Sequence, residues 1–314
     1  MRSSMLPASI FLLCCSLLRA AQPIPPDKRI PATIPATISA PTDQPMHMPT
    51  DVAVDSKGRI FVADGANDRV LQFAPDGKLE QAITDPGNQK LNRPVGITID
   101  SADQLWIADT GNHRLIVLAP DGLQATPITP LQIDNAYPPN PTDLAVTPDR
   151  KRTYVVDNTH HRILVRDNHT RQWSSLGAPG QAIGQFQYPF MISIGLDNDV
   201  YVSETIGTRV QRISASDRWA GQIGQFGVEL GRFYRPKGLA TDSAGRLFVA
   251  DSTIGVIQVF TSRGAVQGVL TDPAGQPLRF QHPMGICFDK QGKLYVVELK
   301  ANRVAIVSLQ PDKK

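Results

Sequence analysis

A proline returns along this chain every 45 to 48 residues, at Pro49, Pro94, Pro141, Pro189, Pro236 and Pro283. Fifteen residues later, or sixteen in the third copy, comes an acid: Asp64, Asp109, Asp157, Glu204, Asp251 and Glu298. Five residues past the acid stands Arg69, Arg114, Arg162, Arg209 or Arg303, with Val256 in the fifth copy. Self-similarity at this period marks a repeat architecture, in which each unit buries its apolar faces by stacking on the next.

The second copy, Asn92 to Gly122, shows what the unit is. Val95 to Ile99, Leu105 to Ala108, Leu115 to Ala119 and Leu123 to Ile128 are apolar or β-branched runs of strand length, separated by Asp, Asn, Gly and Pro. Such runs read as an antiparallel meander of four strands, and they are too short and too continuously apolar for an amphipathic helix. Six such meanders predict an all-β fold, a six-bladed β-propeller of four-stranded antiparallel blades. Three residues before each proline, Met46, Leu91, Pro138, Phe186, Phe233 and Phe280 are suited to fill the seams between blades. After Arg303 to Leu309 only Gln310 to Lys314 remain, too few for a last strand. A ring left open exposes strand edges. The expected donor is Ile30 to Ser39, whose prolines an outer edge tolerates.

The N-terminus divides into two parts. Residues 1–21 read as a secretory signal, with Arg2, the apolar run Ile10 to Leu18 and a small-residue cleavage site at Ala20-Ala21. They are too short for a membrane span. Residues 22–45 carry seven prolines and read as an extended linker that includes the ring-closing strand, ahead of a propeller over 46–314. Removing the signal takes away Arg2 and Arg19, and the formal charge falls from +3 to +1. It also leaves Cys287 as the one thiol, so no intramolecular disulfide or thiolate cluster is expected. Near-neutral charge without a Lys/Arg run argues against a nucleic-acid surface. The expectation is an exported monomer, periplasmic or extracellular.

The runs VADGANDRV and IADTGNHRL, with the Gly-rich GQIGQFGVELGRFYRP, resemble NHL repeats from about Met46 to Leu309. The resemblance implies a six-bladed propeller. Pro49 to Asp55 with Val62 to Gly65 is also similar to the lyase domain that makes peptide amides. That family holds zinc with histidines, one beside the repeat proline. Here Val95 follows Pro94 and Lys237 follows Pro236, so the ligand set does not carry over. Neither the Pro-Glu-Gly-Pro run of lactonase-type propellers nor a GxSxG, HExxH or phosphate-loop motif occurs.

The recurring acid and arginine flank the loop between the second and third strands and are expected to hold it closed as an exposed pair, worth about 0–1 kcal/mol. Function is expected where the copies differ. The residue before each proline, and the residue two places after it, should face the central funnel. Arg93, Arg235 and His282 there suit an anion, with Tyr188 beside them. Asp51 and Asp143, two repeats apart, offer oxygens to a calcium-like ion. His113, His160, His161, His47 and His169 show no zinc-ligand spacing. The chain therefore reads as a module that binds a protein, a peptide or an anionic small molecule or glycan. The alternative is a metal-assisted lyase or lactonase on the same scaffold.

Overall fold

The computed structural model describes residues 23–122, 124–130 and 137–310. The expected signal at 1–21 and residues 311–314 lie outside the described residues. The fold is an all-β propeller, and the strands after each proline are its innermost. Asp51–Val54, Ile97–Ile99, Pro141–Val146, Pro189–Ile194, Pro236–Thr241 and Pro283–Phe288 touch one another in chain order, and the last returns to the first. Four repeats form separate four-stranded antiparallel sheets. The last two share one eight-stranded sheet, joined through the N-terminal strand Arg29–Ile38.

That strand is a structural member of the ring rather than a linker. Ala32 to Ile38 pair antiparallel with Arg303–Leu309 and complete the last meander, as the sequence predicts. Arg29 to Pro31 also pair parallel with Val266–Thr271 of the preceding repeat. So the strand is no simple outer edge, and its prolines need another explanation. Pro35 falls in an irregularity of register between Thr33 and Ala36, where no ladder donor is required.

The core is six apolar clusters, one between each neighbouring pair of repeats. Met46, Leu91, Phe186, Phe233 and Phe280 are buried in or beside these seams as expected. Pro138 is not; it is exposed, and Pro139 is buried in its stead.

The recurring acid does more than the sequence suggests. Its carboxylate accepts from arginine Nε at 2.5–2.8 Å in five repeats. It also accepts the backbone amide of a residue just ahead of the proline: His47, Asn92, Asn140, Gln187, Tyr234 or Gln281, at 2.6–2.9 Å. The acid therefore fastens the loop entering the first strand to the loop leaving the second. The expectation of an exposed pair is corrected, because these carboxylates are buried. Between acid and arginine the backbone turns through a left-handed residue in every copy: Asp68, His113, His161, Thr208, Gly255 and Asn302. Asp, Asn, His and Gly, which tolerate that region best, fill five of these positions.

Two outcomes test this account. Asp109→Ala strips the acceptor from the Asn92 amide, Asn112 Nδ2 and Arg114 Nε. Removing one partner of a buried pair costs about 3–5 kcal/mol, read by chemical denaturation. Deleting residues 22–45 unpairs both strands that flank Arg29–Ile38 and should lower the melting temperature sharply. An unchanged value would mean that the strand is dispensable.

Candidate functional site

The six inner strands surround an axial cavity of about 290 Å³, whose lining runs from Asp51, Asp143 and Met191 to Pro148 and Phe288 at the turn end. Asp51 and Asp143 are buried here, and both are explained by the seams. Asp51 accepts from the amides of Val52 at 2.9 Å and of Ile97, in the next repeat, at 2.8 Å. Asp143 accepts in the same way from Leu144 and Ile192, both at 2.8 Å. On the other side of each carboxyl stands a glycine, Gly285 beside Asp51 and Gly96 beside Asp143, where a Cβ would collide with the carboxyl. Each Asp thus ties its own inner strand to the next, and a glycine on the preceding strand leaves room for the carboxyl.

Burial pushes Asp51 up to about 7 against the pull of its two amides. Asp143 is raised well above the carboxylate range by burial and then by the Asp51 charge. Among the described residues no group of three or more His, Cys, Asp or Glu side chains is arranged to hold a metal ion. With each of its oxygens already accepting an amide, this pair is a seam staple first. Cys287 lines the same cavity, and burial, followed by the charges of Asp51 and Asp289, raises its thiol well above the usual range.

At the proline end of the axis the floor is Phe190. It extends from the fourth repeat to the apolar cluster of Met46, Val52 and Met284, which belongs to the first and sixth. Lys237 Nζ sits 4.0 Å above the centre of this ring, a cation–π contact. Its ammonium is pushed down to about 8, by burial and then by Arg235. His282 is held below its ordinary value by burial, then by Lys237, Lys300 and Arg235, while Asp251 acts in the opposite direction. Asp251 is itself occupied: it accepts the amides of Tyr234, Arg235, Thr253 and Ile254.

The predicted residues therefore separate. Arg235 and His282 come together, and Lys237, which the sequence gives no role, takes the third place expected of Arg93. Arg93 is in the second repeat, with its amide donated to Asp68, and its charge is not among those acting on Lys237 or His282. Tyr188, half-exposed, packs on the His161 ring at 4.5 Å. Phe226 and Tyr234 form an exposed aromatic pair at 5.6 Å beside Arg235. Three other histidines hold loops: His113 and His161 contact the carbonyls of Pro139 and Phe186, and His160 contacts Asp157. The sequence does mark Lys237, as the one charged residue among Thr50, Val95, Thr142, Phe190, Lys237 and Met284.

A second groove, about 610 Å³, lies between the second and third repeats and carries Arg150, Lys151, Arg166, His169 and Arg171. Arg150 and Lys151 are paired with Asp100 and Asp149, so this groove is partly neutralised.

These features define a β-propeller whose axial cavity holds a pair of buried carboxyls among apolar strands and whose proline-end mouth is basic. The family model for the NHL repeat matches residues 46–73 and 91–118, so the chain carries NHL repeats over its first two copies. No curated protein sequence matches it. Among solved structures it is similar to a gluconolactonase of Xanthomonas campestris, with 16% identity over 93% of this chain and 99% of that one and a TM-score of 0.64. A catalytically inactive virginiamycin B lyase from Staphylococcus aureus, solved with quinupristin, gives 17% identity, 88% of each chain and a TM-score of 0.62. An auxiliary nutrient binding protein from Bacteroides thetaiotaomicron gives 15%, 87% of this chain, 72% of that one and 0.64. At these identities the likeness is one of fold.

The carboxyl staples carry a pH dependence. A carboxyl whose folded pKa is raised binds its proton more tightly when folded. Its stabilising contribution is complete below the unfolded value near 4 and is lost as pH rises through about 7. Between pH 5 and pH 8 the melting temperature of the native protein should therefore fall more than that of Asp51→Asn, which cannot titrate. Parallel curves would remove the account.

Proposed function

We propose that this protein is a ligand-binding module, a six-bladed propeller in which the eight-stranded sheet counts as two blades sharing the N-terminal strand. Its ligand is anionic, a small molecule, glycan or peptide bearing a carboxylate or phosphate. It seats at the mouth formed by Arg235, Lys237 and His282. The observation that carries this reading is Lys237 Nζ over the Phe190 ring, with Arg235 of the same repeat and His282 of the next within its electrostatic influence and the nearby carboxylate spent on backbone amides. Crowded positive charges lower one another's proton affinity, and an anion placed among them relieves that cost. The apolar signal-like start of the chain supports export to the periplasm or outside the cell.

A lyase or lactonase acting at the same mouth is the second reading. It is favoured by the activities named for two of the similar structures. The depressed proton affinity of Lys237, at about 8, also suits acid–base work near neutrality. On its metal-assisted form, elemental analysis of the purified protein returns a stoichiometric ion.

Glycolate is a sufficient probe of the anion site by calorimetry. Arg235→Ala should weaken its binding about tenfold, the worth of one charge-assisted hydrogen bond, whereas Arg93→Ala leaves it unchanged. Binding should tighten from pH 9 to pH 6, because the bound anion favours the protonated forms of Lys237 and His282. An equal effect of both arginine variants would place the site elsewhere.

A further inference from the structure

Lys237 is unusual for reasons beyond its charge. At the same place in the first and third repeats, the hydroxyls of Thr50 and Thr142 donate to the carbonyls of Val95 and Phe190, at 2.6 and 3.0 Å, and tie neighbouring inner strands together. Lys237 makes no such tie. Among the described residues it has neither an ion pair nor a hydrogen bond, and its Nζ rests on the Phe190 ring. The charges that act on it and on His282 are mostly positive, and Asp251 is already taken by four amides.

Burial and the neighbouring guanidinium, against the attraction of the Phe190 face for the cation, make this ammonium give up its proton more readily than a lysine in water. What remains is a neutral amine with a free lone pair, the form that attacks a carbonyl carbon. Arg235 stands two residues away with a fork suited to a carboxylate.

We propose that Lys237 captures the carbonyl of a small oxo acid as an imine at the mouth of the axial cavity, with Arg235 holding the carboxylate and Phe190 as the floor. This rests on the anion-site reading above and adds a covalent step to it. The Nζ lone pair forms the C–N bond while the carbonyl π electrons move to oxygen. A proton passes from nitrogen to that oxygen, and the carbinolamine then loses its hydroxyl as water to leave C=N. No oxidant or reductant is consumed. His282, whose proton affinity burial and its cationic neighbours lower, is the proposed relay for the proton in transit.

The test uses the whole protein with glyoxylate and cyanoborohydride at pH 7.5, where hydride reduces any imine to a stable secondary amine that peptide mapping locates. One adduct is expected, at Lys237, forming at least about tenfold faster than at the exposed Lys57, Lys78 and Lys290. Lys237→Arg keeps a cation over Phe190 and should melt like the native protein while losing the adduct. Arg235→Ala should slow its formation. An adduct spread evenly over the surface lysines, or undiminished in Lys237→Arg, overturns the proposal. Glycolate, the same acid without the carbonyl, separates the two readings. If glycolate binds and Lys237 remains unlabelled, the imine is wrong and the anion site stands. If Lys237 is labelled and glycolate does not bind, the amine is reactive and the anion site is wrong.

Discussion

One buried carboxylate per repeat governs the proline face of this propeller. An ionised carboxylate accepts and cannot donate, so in a dry interior it must be met by donors on every side. Here the donors come from two segments that are otherwise unconnected: a backbone amide ahead of the proline and, in five repeats, an arginine Nε beyond the next turn. The same group therefore sets where each first strand begins and how each following loop closes. Losing one donor strands a charge away from water, which couples the two segments far more strongly than an exposed ion pair would.

Two of the six inner seams are fastened by a further pair of buried carboxyls. Asp51 and Asp143 each reach the amide of the following repeat across a seam, while a glycine in the preceding repeat leaves room for the carboxyl. Apolar packing between repeats supplies the bulk of the cohesion but is non-directional. The carboxyl staples add what packing lacks, a fixed register between neighbouring inner strands. The strand Arg29–Ile38 completes the outer circumference by pairing with strands of two consecutive repeats, so it and Arg303–Leu309 are held in one sheet.

Much of this is legible in the sequence because it recurs. The prolines, acids and arginines give the period, and the missing last strand points to Ile30 to Ser39. Burial of the acid is not legible, because it depends on the preceding loop folding over the carboxylate. The grouping of Arg93 with Arg235 and His282 fails for a related reason. Equivalent positions in a ring share a face without sharing a neighbourhood, and spacing does not say which side chain reaches across the axis. Phe190 does, and so decides that Lys237 rather than Arg93 completes the basic mouth. The paired aspartates were legible as neighbours on the axis, yet their oxygens are directed to amides that no side-chain pattern reveals.

The fifth repeat breaks the pattern where the charges gather. Val256 stands in place of the arginine, and Asp251 is satisfied by four amides instead of an ion pair. An arginine at that place would neutralise Asp251 and add another cation beside Arg235 and Lys237. With valine there, Asp251 remains the one negative charge that opposes the positive crowd around His282. The acid keeps its structural role through backbone amides alone, and among the described residues the cations beside it are left without an ion pair. Evolving a site on a repeat scaffold requires some copy to give up part of its structural role, and backbone donors can take over that role without contributing charge.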